Sequence, residues 1–380
     1  MSADLALTNA RVVTPEGVLH GHVEVSKGRI AAVAPGPSRS SVAIDMDGDY
    51  VLPGLVELHT DNLERAFSPR PGVRWPAEAA MIAHDAQIAS AGITTVCDAI
   101  CVGSHGGKQE RRDFLETSVR LVRESAERGV LRAEHRIHLR CELADPHVVE
   151  MFEPLSAEPG LVLVSFMDHT PGQRQWHDLD KYRLFHFGRT VHDEAAFQAM
   201  VEQRKADQTS YSDPHRRRIL ALLEGRSVAR ASHDDTTLEH VAEAVVDGIT
   251  IAEFPTTLTA AQAARQAGLS IVMGAPNIIL GGSHSGNVSA LALAADGLLD
   301  GLSSDYVPVS LLHAAFRLCD ELDLPLEKAI EPITARPAAM IGLSDRGSIE
   351  VGLKGDLIRV RRRDATPAVL AAWRQGERIV

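Results

Sequence analysis

The feature that most constrains this chain is an alternation. Between residues 51 and 342, eight strand-like apolar runs (51–59, 93–98, 136–142, 161–167, 227–233, 249–254, 270–274 and 301–305) are interleaved with helix-like segments. The helix-like segments fall at 77–90, 110–128, 195–206, 238–246, 260–266, 288–295, 310–322 and 326–341. A strand and the helix after it cannot hide their apolar faces alone. Eight such units in succession predict an α/β fold of the (β/α)₈ TIM-type barrel class. A chain of 380 residues has room for that barrel and one smaller domain.

The smaller domain is expected at the chain ends. Residues 5–13, 22–25 and 29–33 are short and β-rich, punctuated by Pro15-Glu16-Gly17, Lys27-Gly28 and Pro35-Gly36-Pro37. Residues 347–360 repeat that texture, so a small antiparallel sheet is read there. The predicted division is 1–50 plus 343–380 for the small domain and 51–342 for the barrel, with an insertion at about 171–226.

In a (β/α)₈ barrel, chemistry gathers at the C-terminal strand ends. Those ends carry His59 and Asp61, Asp98, Glu142, Asp168 and His169, His233 to Asp235, Glu253, Asn277, and Ser304 with Asp305. Converging carboxylates and imidazoles repel or desolvate one another unless a cation compensates, which makes a metal site the economical reading. Strand side chains alternate, so His59 and Asp61 share a face about 7 Å apart along the backbone, within reach of one divalent ion. Imidazole nitrogen with carboxylate oxygen suits zinc or a similar metal, one or two ions to the site.

The run Leu-Pro-Gly-Leu-Val-Glu-Leu-His-Thr-Asp at 52–61 resembles the first barrel strand of the amidohydrolase superfamily, whose members carry His-x-His there. Asp61 in place of the second histidine, continuing through Asn62-Leu63-Glu64 and residues 67–76, is similar to one branch: the diphosphatases acting on alpha-D-ribose 1-methylphosphonate 5-triphosphate in the carbon–phosphorus lyase pathway. The resemblance implies that the two chain ends build one β-sandwich beside the barrel. It also implies metal-dependent hydrolysis of a ribose 1-phosphonate 5-triphosphate to the 5-phosphate and diphosphate, in phosphonate use. By the same resemblance, His59, Asp61, His233 and Asp305 are metal ligands, and Asp305 takes the proton of the attacking water. The superfamily's fourth-strand lysine and sixth-strand histidine are missing. Glu142 is therefore expected as a bridging carboxylate and His169 as the replacement nitrogen, with Asp168 and Glu253 in reserve.

A triphosphate needs forked donors. Arg70 and Arg74 follow the first strand, Arg174 opens the insertion, and His284 sits in the Gly/Ser-rich turn 281–287, so these four are the expected substrate-binding residues. An amide or cyclic-amide hydrolase is the rival activity, and a non-catalytic barrel the rival from another class. The net charge of −12 opposes a nucleic-acid or anionic-membrane partner. No apolar run approaches the roughly 18 to 20 residues that span a bilayer, and Met1-Ser2-Ala3-Asp4-Leu5 lacks the start of a secretory signal, so a cytoplasmic location is expected. Four cysteines fit reduced thiols better than a disulfide framework. The expected partner is a small phosphorylated substrate; homo-oligomerisation is left open.

Overall fold

The computed structural model describes residues 3–70, 72–103, 109–187, 194–283 and 286–380. The N-terminal segment forms β1 (Leu5–Thr14), β2 (Gly17–Ser26), β3 (Arg29–Pro35), β4 (Ala43–Asp45) and β5 (Tyr50–Pro53). The barrel strands are β6 (Leu55–Thr60), β7 (Ile93–Val102), β8 (Glu134–Glu142), β9 (Leu161–Met167), β10 (Ala229–His233), β11 (Ile251–Glu253), β12 (Ser270–Gly274) and β13 (Gly301–Ser303). The chain returns to the first sheet with β14 (Leu357–Arg363), β15 (Thr366–Arg374) and β16 (Glu377–Arg378).

The end strands join in the order β16-β15-β14-β5-β1-β2-β3, with β4 on β1. In a flat sheet β15 and β2 would lie about 19 Å apart. Instead Trp373 of β15 and Val25 of β2 share one buried core, with Ile30 and Met46. Backbone bonds from Ile30 N–H to Leu353 O and from Gly355 N–H to Gly28 O close the fold-over, each at 2.8 to 2.9 Å. The sheet therefore doubles back on itself and buries one face between two layers, as a sandwich does.

The sequence reading took 51–59 as a single strand, but the structure breaks it. Tyr50–Pro53 pairs with β14 and β1, and only after Gly54 does the chain enter the barrel. Gly54 allows the crossing because a Cβ there would lie 2.2 Å from Thr94 Oγ1. We accordingly place the division between the two units at Gly54 rather than after residue 50.

β6 to β13 run parallel in sequence order. The barrel closes between its first and last strands at the future site: Asp305 N–H donates to His59 O at 3.1 Å, and Asp61 N–H to Asp305 O at 3.3 Å. Leu58, Cys97, Leu163, Ala231, Ile251 and Val272 fill the interior. The larger core lies between strands and outer helices. β7 runs four residues past Asp98, and since Cys97 faces the axis, alternation turns Asp98 outward, away from the rim where the sequence reading put it. The insertion holds helices Leu179–Phe187 and Glu194–Leu222, the second much longer than the expected 195–206, around a small core of Trp176, Tyr182, Phe197 and Val201. All four cysteines are free thiols. Among the described residues, no helix is long and apolar enough to cross a membrane.

Candidate metal centre

Glu253, the last residue of β11, organises the floor of the site. Its Oε1 faces His59 Nδ1 at 3.0 Å, and its Oε2 faces His233 Nδ1 at 3.2 Å and accepts from Ser165 Oγ at 2.5 Å. Burial pushes the Glu253 carboxyl toward its neutral form, but the surrounding imidazoles, with hydrogen bonds from His59 and His233, outweigh burial and hold it well below the ordinary carboxylate range. A carboxylate against each Nδ1 holds the proton there and leaves the Nε2 lone pairs of His59 and His233 available to a metal. His138, fully buried below them, contacts Leu58 O through Nδ1 and Ser165 Oγ through Nε2. Burial drives its pKa down to about 3, with the neighbouring His59 and Arg140 acting in the same direction against Glu253, so it is a neutral ring.

A second tier sits above. Glu142 Oε1 accepts the backbone N–H of His169 at 3.0 Å, and Glu142 Oε2 faces His169 Nδ1 at 2.6 Å. His169 Nε2 is thereby turned toward Asp234 Oδ2 at 3.8 Å, which also lies 3.6 Å from His233 Nε2. These separations are too long for hydrogen bonds. They are close to the roughly 3.3 to 3.6 Å edge of a tetrahedron of ligands bound at 2.0 to 2.2 Å. Asp61 Oδ1 is buried without a hydrogen-bond partner, a costly arrangement for a carboxylate unless a cation compensates. The donor set therefore fits a divalent ion.

The backbone beneath these side chains is strained where they emerge. Asp234, Phe254 and Asp305, just past the ends of β10, β11 and β13, have φ of 57°, 54° and 54°. Non-glycine residues in the left-handed region cost about 1 to 3 kcal/mol each and gather at functional sites.

All six expected ligands, His59, Asp61, Glu142, His169, His233 and Asp305, line one cavity of about 520 Å³ at the barrel mouth. Glu142, read from sequence as a bridging ligand, has both oxygens directed at His169, the position of a carboxylate that orients a histidine. The expected phosphate binders are placed differently. Arg70 and Arg74 are exposed on the loop after β6 and do not line the cavity. Arg174 turns away with φ of 47° and donates to His233 O at 2.9 Å and Asp235 Oδ1 at 2.7 Å, beside a smaller neighbouring cavity. His284 lies outside the described residues. The guanidinium groups that do line the cavity are Arg140, from β8, and Arg204, from the long insertion helix. Sequence reasoning missed both, along with His138 and the ligand-like placement of Asp234. A period-2 reading of β8 would have found two of them, because His138, Arg140 and Glu142 alternate onto one face.

The comparisons agree with this architecture. Residues 86–380 match the Amidohydrolase family. The chain is 46% identical over 377 residues, 99% of its own length and 100% of the relative's, to the alpha-D-ribose 1-methylphosphonate 5-triphosphate diphosphatase of Escherichia coli (strain K12). Among solved structures, N-isopropylammelide isopropylaminohydrolase from Burkholderia multivorans ATCC 17616 is similar at a TM-score of 0.65 and 16% identity, covering 100% of this chain and 98% of that one. N-acetyl-D-glucosamine-6-phosphate deacetylase from Mycobacterium smegmatis gives 0.64 and 17%, covering 99% and 100%. A parallel barrel with imidazoles and carboxylates at its mouth, a sheet built from both chain ends and a family match over most of the chain lead to one conclusion: the chain belongs to the amidohydrolase family.

Proposed function

We propose that this protein hydrolyses a ribose 1-phosphonate 5-triphosphate to the 5-phosphate and diphosphate, as a step in phosphonate use. The observation that carries the reading is its 46% identity, along its whole length, to a diphosphatase named for that substrate. The reading includes a cytoplasmic setting and a small phosphorylated substrate.

In this reading His59, Asp61, His169, His233, Asp234 and Asp305 hold one or two divalent ions, with zinc best suited to the mixed nitrogen and oxygen donors. Such an ion supplies Lewis acidity and eases the deprotonation of water. The chain's own residues do the rest. Glu253 and Glu142 orient three imidazoles through their Nδ1 atoms. Asp305, fixed by backbone bonds between β6 and β13, accepts the proton of the attacking water on its carboxylate. Trp176 and Arg204 of the insertion wall the cavity from above and limit bulk water near the anhydride.

The test is ³¹P NMR of zinc-loaded protein with the ribose 1-phosphonate 5-triphosphate. Diphosphate and the 5-monophosphate should appear together in one step. Stepwise orthophosphate release through a 5-diphosphate, or hydrolysis of amides with no diphosphate formed, would overturn the reading.

A further inference from the structure

Arg140 occupies an unusual position. It lies on β8 between His138 and Glu142, on the face that meets the cavity, one step below the rim. Among the described residues, its guanidinium makes no hydrogen bond or ion pair, and its Nε is buried without a partner. Burial opposes its charge, yet Cys101, Asp61, Asp305 and Glu253 surround it closely enough to keep it firmly protonated. Two nearby carboxylates are occupied elsewhere, Glu253 by His59, His233 and Ser165, and Glu142 by His169. The other arginines are exposed, as Arg70 and Arg74 are, or engaged, as Arg174 is with Asp235 and Arg204 with the Tyr182 hydroxyl.

A guanidinium beside a ligand set for divalent ions would be repelled by the loaded metal unless an anion lies between them. Carboxylates could serve as that anion, but they lie around Arg140 without pairing to it. The fork therefore remains open to the cavity. Two parallel N–H donors fit the non-bridging oxygens of a phosphoryl group better than they fit a neutral amide.

We propose that Arg140 binds the phosphoryl oxygens of the anhydride at the metal ligands, and so carries the anion specificity that the loop arginines were expected to provide. The assignment rests on the diphosphatase reading for its substrate, but its chemistry requires only a phosphate anhydride. Group by group, Glu253 and Glu142 orient the imidazoles, Asp305 takes the proton, and Arg140 neutralises charge that develops on the oxygens of the departing diphosphate.

The experiment measures pyrophosphate binding to zinc-loaded protein by calorimetry, for wild type, Arg140→Met and Arg140→Lys, alongside zinc content and triphosphate kinetics. Arg140→Met should keep its zinc and weaken pyrophosphate binding about 10- to 100-fold, with a similar fall in kcat/KM. Arg140→Lys, which keeps the charge but loses the fork, should fall between the two. Should wild type bind pyrophosphate through Arg140 yet release no diphosphate from the ribose triphosphate, the activity reading fails while this assignment stands. Unchanged pyrophosphate affinity in Arg140→Met overturns it. So does loss of zinc from both variants, which would make Arg140 a support of the ligand set rather than a contact to substrate.

Discussion

Two clusters in this barrel gather the same kinds of side chain and end in opposite states. At the mouth, His169, His233 and Asp234 bring their ligand atoms within 4.8 Å of one another; so do His84, Asp98 and His135 between β7, β8 and the helix Ala77–Ser90. In the second cluster the contacts are hydrogen bonds, at 2.7 Å from Asp98 to each histidine and 3.3 Å from His135 Nε2 to Asp85. Both nitrogens of His135 face carboxylates, so both carry protons and the ring is a cation. Burial lowers its pKa, but the Asp98 charge and the bonds from Asp85 and Asp98 reverse that and raise it to about 9. Asp85 also accepts the backbone N–H groups of Arg132 and Ala133, at 2.9 and 3.0 Å, which ties the helix to the start of β8. These side chains are enclosed, and His84 Nδ1 is the one nitrogen of the group left unpaired. At the mouth, by contrast, the contacts are 3.6 and 3.8 Å, the His169 side chain is 23% exposed, and an Asp61 oxygen is unsatisfied. Proximity of ligand-type residues does not by itself define a metal site; unfilled valence next to a cavity does.

The largest expected effect tests the contrast directly. Exhaustive chelation should abolish activity and added zinc restore it, while His233→Ala should fail to regain the metal and His84→Ala should bind it in full, by metal analysis of refilled protein. Metal lost with His84 would erase the distinction between the clusters. The next effect sharpens the role of the mouth alone. Asp305→Asn keeps shape and an oxygen ligand but no proton acceptor, so turnover should drop by about 10² to 10⁴ while metal content holds. Near-wild-type turnover would move the base to another group.

The smallest effect belongs to the sealed cluster and concerns stability. Asp98→Asn leaves the His135 cation without its main partner and should destabilise the fold by about 3 to 5 kcal/mol, with activity per folded molecule unchanged. The pH dependence follows from the sign of the shift. His135 has a folded pKa raised from 6.5 to about 9, so its contribution is complete below pH 6.5 and is lost as pH rises through 9. The gap in unfolding free energy between wild type and Asp98→Asn should therefore be widest below pH 6.5 and shrink by on the order of 3 kcal/mol above 9. A gap independent of pH would show that packing, not the ion pair, makes the difference.

Residue order alone determined the barrel, because eight alternations of apolar strand and helix have few ways to bury their faces, and strand ends name the residues at the mouth. His59, Asp61, His169, His233 and Asp305 were legible for that reason, and all line the cavity. Tertiary structure decided what lies across the barrel. Glu253 became the carboxylate that orients His59 and His233 because β11 lies beside β10, with Glu253 in register with His233, and across the interior from β6, a relation that no spacing along the chain encodes. Asp98 left the rim because β7 runs longer than its apolar run suggested, which turned the side chain outward to His84 and His135. The arginines diverged most. Residue type marks Arg70, Arg74, Arg174 and Arg140 as equal anion binders, but a long guanidinium takes whichever partner its local geometry offers. Exposure, an Asp235 in reach, or an open cavity wall is settled only when the chain is folded.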